Sequence, residues 1–168
     1  IARWLDADVA PGRIVHIALA GGSTPRETYR RLTQAVHEWT NVHLWLADER
    51  MVAPESDDAN IRMVRHTLIA ATTIPPAQAQ AAVAYGASIR TQLPSSPAGV
   101  PQFDLVLLGL GEDAHIASLF PDSPGLHLRG TVCCAIEDAP KPPPARVSLT
   151  LEVINAAHRR LVLTTGSS

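Results

Sequence analysis

Residues 103–108 read FDLVLL, and Gly109-Leu110-Gly111-Glu112-Asp113-Ala114-His115 follows without a break. A near-continuous apolar run of this length, bounded by turn residues, marks a strand buried on both faces, as in a parallel sheet. The pattern recurs on either side. Residues 14–20 (IVHIALA) run into Gly21-Gly22-Ser23-Thr24-Pro25, and residues 42–46 (VHLWL) run into Ala47-Asp48-Glu49-Arg50. Residues 160–165 (RLVLTT) form a last strand candidate, 131–136 is another, and 147–151 resumes an apolar pattern. Helical patterns fill the gaps. Residues 1–9 read as the end of a helix, stopped by Pro11-Gly12. Residues 26–36 follow Pro25, which suits a first helical turn, and carry Tyr29, Leu32 and Val36 at helical spacing. Further helices are predicted over 60–71, over an Ala-rich 79–93, briefly after His115, and over 153–157. Lys141-Pro142-Pro143-Pro144 is expected to be a stiff polyproline stretch. Strands alternating with helices imply an α/β fold with a parallel sheet covered on both faces. No internal repeat or boundary divides residues 1–168, so a single domain is expected.

Composition narrows the function. Of 168 residues, 46% are hydrophobic and 18% charged, enough for a core and too little charge for a disordered chain. Fourteen basic against 16 acidic residues give a net charge of -2, without the basic excess of a nucleic-acid binder. Aromatics at 4% leave little material for base-stacking platforms. No apolar run approaches the roughly 20 residues of a membrane span, and no signal peptide is visible. Cys133 and Cys134 are neighbours whose side chains point to opposite faces of a strand, so a reducing, cytoplasmic setting is expected. Metal-ligand patterns such as CxxC or HExxH are absent.

In open α/β sheets, ligands bind beyond the carboxyl ends of the strands. Three segments share that address: residues 21–24, 48–50 and 109–115. Gly21 and Gly22 allow close backbone approach, Ser23 and Thr24 add hydroxyl donors, and a helix begins there. That combination suits an anion such as phosphate, although a tight turn with an ordinary N-cap uses the same residues. It is not a Walker A loop. His115 follows Asp113, a carboxylate able to orient the ring, and could act as a general base or merely fill space. Arg50 is either a salt-bridged structural residue or a cation aimed at developing negative charge, and Arg146 offers a second cation. The 109–114 stretch also fits GxGxxA, but Glu112 and Asp113 would repel a pyrophosphate, which argues against a dinucleotide site.

Four blocks together resemble the 6-phosphogluconolactonase family: ALAGGSTPRETYRRL (18–32), WLADERMVAPESDDAN (45–60), LLGLGEDAHIASLFPDSP (107–124) and PKPPPARVSLTLEVIN (140–155). They occur in family order across nearly the whole chain. The resemblance implies a Rossmann-like sheet and hydrolysis of 6-phospho-D-glucono-1,5-lactone to 6-phosphogluconate, in the oxidative pentose phosphate pathway, without metal or other cofactor. It casts His115, next to Asp113, as the base that activates water. It assigns Arg50 to the active site, and Gly21, Gly22, Ser23, Thr24 and Arg146 to the phosphate. Two other classes stand beside it: a glucosamine-6-phosphate isomerase/deaminase, and a non-catalytic sugar-phosphate-binding module. The Ile116-Ala117-Ser118-Leu119-Phe120-Pro121 tail favours the lactonase over the deaminase, and the intact Asp113–His115 pair disfavours the binding module. Two positions depart from the family pattern: Ala114 stands where Gly is usual, and Ala59 where Ser is. Family members also begin with another strand and continue past Thr165-Gly166 into a lysine-bearing segment, so the native polypeptide is expected to be longer at both ends.

Overall fold

The computed structural model describes residues 1–7, 12–35, 38–74 and 85–164. In chain order they form α1 (Ala2–Ala7), β1 (Val15–Leu19), α2 (Ser23–Ala35), β2 (Val42–Leu46), β3 (Asp48–Arg50), α3 (Asn60–Thr67), α4 (Tyr85–Gln92), β4 (Leu105–Gly109), β5 (Cys133–Ile136), β6 (Arg146–Leu149), α5 (Leu151–Ala156) and β7 (Arg159–Leu163). The expected parallel sheet has the order β2-β1-β4-β7, all neighbours parallel, with helices flanking it. All five residues of β1 are buried, and β4 is buried up to Gly109, as their unbroken apolar sequences require.

The other strand candidates go elsewhere. β3, β6 and β5 make a second, antiparallel sheet in the order β3-β6-β5. This second sheet adds to the expected parallel one. Ala47 is the junction: its N–H donates to the Leu19 carbonyl of β1 at 2.7 Å, and its carbonyl accepts from Leu149 N of β6 at 2.8 Å. One fully buried residue thus satisfies its backbone in both sheets, and the chain leaves the first for the second at Asp48.

Two corrections concern loops. No helix follows His115. Ala114 and Ala117 have φ of 66° and 50°, outside the right-handed helical region, and Ile116 and Leu119 pair in a bridge instead. Further on, Pro124–His127 makes a short 3-10 turn. Residues 141–143 are bends rather than a continuous polyproline helix, and the Pro142–Pro143 peptide is cis. The beginning of the helix expected over 79–93 lies outside the described residues, as do Val36 and the last residues of 1–9 and 160–165.

The parallel sheet turns its strand order around between β1 and β4, since β2 lies beyond one and β7 beyond the other. A crevice forms at such a switch point because the two connections leave in opposite directions. α2 is docked under it by the fully buried Tyr29, whose hydroxyl donates to the Ala20 carbonyl at 2.7 Å. The start of the glycine loop is thereby tied to its own helix.

Candidate active site

The crevice is an open cleft of about 400 Å³ at the carboxyl ends of β1 and β4. Gly21, Gly22, Ser23 and Thr24 form one wall, running into the N-terminus of α2. A Cβ on Gly21 would stand 1.9 Å from Asn60 Oδ1, and Gly22 has φ of 101°, so both positions require glycine for different reasons. Arg50 comes from the end of β3, Arg146 from the start of β6, and His115 from the loop after β4. Three segments distant in sequence therefore meet, as their shared position after strands suggested.

His115 Nδ1 lies 2.5 Å from Asp113 Oδ1, and this bond holds the Asp113 carboxyl below the ordinary carboxylate range. Asp113 itself does not line the cleft; it stands behind the imidazole. The turn is closed by Ala114 N donating to the Gly111 carbonyl and Gly111 N donating to the His115 carbonyl, both at 2.9 Å. Gly111 is needed there, because a Cβ would fall 2.1 Å from His115 Nδ1. Phe120 packs on the other side of the imidazole, with ring centroids 4.6 Å apart, and carries the Arg146 guanidinium 5.5 Å from its own centroid. A single aromatic ring thus spaces histidine from arginine.

Arg146 is buried and well anchored. Its Nε donates to the Pro143 carbonyl at 3.0 Å and its Nη2 to the Lys141 carbonyl at 2.6 Å. Arg50 Nη1 donates to the Asp58 carbonyl at 2.5 Å, while Arg50 Nε is enclosed without a partner among the described residues. Burial, with the Arg50 charge next, lowers the pKa of Arg146. Neither arginine forms an ion pair among the described residues.

Sequence reasoning gave no role to the carboxylate at the floor of the cleft. Asp48 is buried, takes a hydrogen bond from Ser118 Oγ at 2.7 Å on Oδ2, and faces both arginines. Burial pushes its carboxyl up, against the Ser118 hydroxyl and the arginine charges. Its place directly after β2 was the available signal; that it would be covered was not visible. Ser118 belongs to the quoted tail after His115 and is fully buried, and Lys141 lines the rim. Among the described residues no group of His, Cys, Asp and Glu could hold a metal ion.

A family model described as glucosamine-6-phosphate isomerases/6-phosphogluconolactonase matches residues 1–168. The chain belongs to this family. Among its relatives, the probable 6-phosphogluconolactonase 1 of Arabidopsis thaliana is 35% identical over 100% of this chain and 70% of its own length. The 6-phosphogluconolactonase of Streptomyces coelicolor is 33% identical, over 99% of this chain and 71% of its own. The solved structure of 6-phosphogluconolactonase from Trypanosoma brucei superposes with a TM-score of 0.78 at 32% identity, covering 96% of this chain and 73% of that one. Another, from Thermotoga maritima, gives 0.80 at 26% identity, with 94% and 73% covered. Ala114 occupies a left-handed position, and Ala59 caps α3 with no side-chain hydrogen bond.

Proposed function

We propose that the chain hydrolyses 6-phospho-D-glucono-1,5-lactone to 6-phosphogluconate, as a step of the oxidative pentose phosphate pathway. The observation that carries this reading is the 2.5 Å Asp113–His115 pair opening on the same cleft as the glycine loop, Arg50 and Arg146. The names of the relatives support the substrate. With Nδ1 committed to Asp113, the other ring nitrogen is the one available to take a proton from water. The water oxygen then adds to C1 of the lactone. Arg50 stabilises the oxyanion, and the C1–ring oxygen bond breaks as the protonated His115 returns its proton to the ring oxygen. The 21–24 loop, the α2 N-terminus and Arg146 hold the phosphate, so the ester carbon meets the base in a fixed register. Water and the chain's own side chains are the only reactants these steps use beyond the lactone. The reading treats residues 1–168 as one domain and keeps a cytoplasmic setting, which the two free cysteines support.

The test is acid release from freshly prepared lactone against the spontaneous rate. The intact chain should accelerate it strongly, and His115→Ala should lose about 10²–10⁴-fold of that acceleration. Asp113→Asn should lower kcat while leaving KM close to its starting value, since Asp113 lies outside the cleft lining. An unaccelerated reaction would overturn the reading, and full activity in His115→Ala would overturn the base.

A further inference from the structure

Two cross-strand pairs of the second sheet lie side by side: Arg50 is directly opposite Arg146, and Asp48 is directly opposite Ser148. Opposed residues share a face of a sheet, as do residues two apart along a strand. All four side chains therefore point one way, and Asp48, Arg50 and Arg146 line the cleft. Ser118 meets the second pair at both members. Its Oγ donates to Asp48 Oδ2 at 2.7 Å, and its N–H donates to Ser148 Oγ at 3.3 Å. Ser148 Oγ donates onward to the Leu149 carbonyl at 3.0 Å. Asp48 is buried, and both serines are fully so. In such surroundings a hydroxyl–carboxylate bond is stronger than at a surface, and either partner is costly to leave unpaired.

Ser118 belongs to the same segment as the histidine. Leu119 N donates to the Ile116 carbonyl at 2.9 Å, and Ile116 and Leu119 pair in a bridge, so residues 116–119 make a tight turn. That turn adjoins the 111–115 turn, which is closed by two hydrogen bonds of its own. A displacement at Ser118 is thus passed to His115 rather than absorbed by slack chain. We propose that Ser118 is a positioning residue: it clasps the histidine turn onto the face of the second sheet that carries Arg50 and Arg146, and so sets His115 in register with both arginines. The inference rests on the lactonase reading for the reaction it serves. Binding of the phosphate does not depend on this clasp. Tyr29 ties the start of the glycine loop to α2, and Arg146 is held by the Pro143 and Lys141 carbonyls. Burial raises the Asp48 carboxyl, and the Ser118 hydroxyl is the first group to oppose that rise, which favours a charged Asp48 beside the arginines.

The test is lactone turnover and calorimetric binding of 6-phosphogluconate in Ser118→Ala. The kcat per binding site should fall about tenfold or more, because a small misplacement of the base is felt in the transition state. KM and the product Kd should stay within about twofold of wild type. Calorimetric stoichiometry counts the folded sites, so a partly unfolded preparation lowers the stoichiometry and leaves kcat per site alone. Wild-type kcat per site, with or without a raised KM, overturns the proposal. Where Ser118→Ala does not fold, Ser148→Ala removes the longer of the two bonds and carries the test. A loss of about threefold in kcat at unchanged KM is expected there, and wild-type kcat overturns the clasp. Amide hydrogen exchange reads the clasp without turnover. Peptides over residues 111–119 should exchange about tenfold faster in Ser118→Ala, and those over residues 23–35 at the wild-type rate. With that result, a wild-type chain that leaves the lactone unaccelerated would sink the lactonase reading and leave the clasp standing. Unchanged exchange over 111–119 overturns the clasp.

Discussion

At the level of single residues, the histidine turn is held by two small side chains under opposite demands. Gly111 has no room for a Cβ because the His115 ring occupies the space, whereas Ala114 has a Cβ although its φ of 66° favours glycine. A left-handed alanine costs about 1–2 kcal/mol, partly offset because alanine loses less freedom on folding than glycine does. Ala114→Gly is therefore expected to stabilise the chain by up to about 1 kcal/mol, read as a higher urea midpoint at an unchanged slope. Loss of stability on that change would mean the turn is not under strain at Ala114. Sequence alone raised this question, since the family pattern has glycine there, but only the backbone angle answers it. Lys141 and Asp48 mark the limit at this scale: a lone lysine and a carboxylate after a strand are visible as letters, while facing a common cleft is not.

Among the elements, α3 displays a cap that its own sequence does not contain. Ala59 at the N-cap offers no side-chain acceptor. The exposed N–H groups are instead taken by Glu49 of β3, which accepts from Asn60 N at 2.7 Å, Ile61 N at 2.8 Å and Arg50 N at 2.7 Å. A buried carboxylate at a helix N-terminus compensates both the missing hydroxyl and the helix dipole, although burial still raises its own pKa. Glu49→Gln keeps one acceptor and turns an amide toward a backbone donor. It should cost about 1–3 kcal/mol, measured by urea unfolding. It should also lower activity, because the Glu49 peptide fixes Arg50 on one side and Asp48 on the other. A change below the error of the measurement would show that solvent caps the helix as well. The spacing from Glu49 to Asn60 carries no helical signature, so this tertiary cap could not be read from sequence.

The whole molecule should respond to acid through a site far from the cleft lining. His16 of β1 is buried, its Nδ1 accepting from Trp45 Nε1 at 3.1 Å and its ring edge-on to His43 at 5.3 Å. Burial, then the His43 charge, lowers its pKa to about 4; Asp104 opposes this shift and Arg13 adds to it. The unfolded chain, with an ordinary histidine near 6.5, binds this proton first. Stability attributable to His16 is thus complete above about pH 6.5 and is lost as pH falls toward 4. His16→Gln, which retains an acceptor for Trp45, should flatten that part of the pH dependence of the unfolding midpoint. Parallel curves for the two proteins would refute the assignment.

The sequence by itself determined the parallel strands, the loops that follow them, and the identity of the residues at their carboxyl ends. Those features are local: runs of apolar residues, glycines and a helix start follow from backbone geometry and burial over a few neighbours. Tertiary structure alone decided that residues 48–50, 133–136 and 146–149 form a second, antiparallel sheet. It also decided that no helix directly follows His115, that Asp48 and Lys141 line the cleft, and that Ser118 lies buried behind Asp48. Strand partners are chosen by hydrogen bonds between segments as much as a hundred residues apart, so a short apolar run does not carry its partner with it. Ala47 is the clearest case, a buried alanine whose N–H and carbonyl serve two different sheets and so bring the arginines to the histidine.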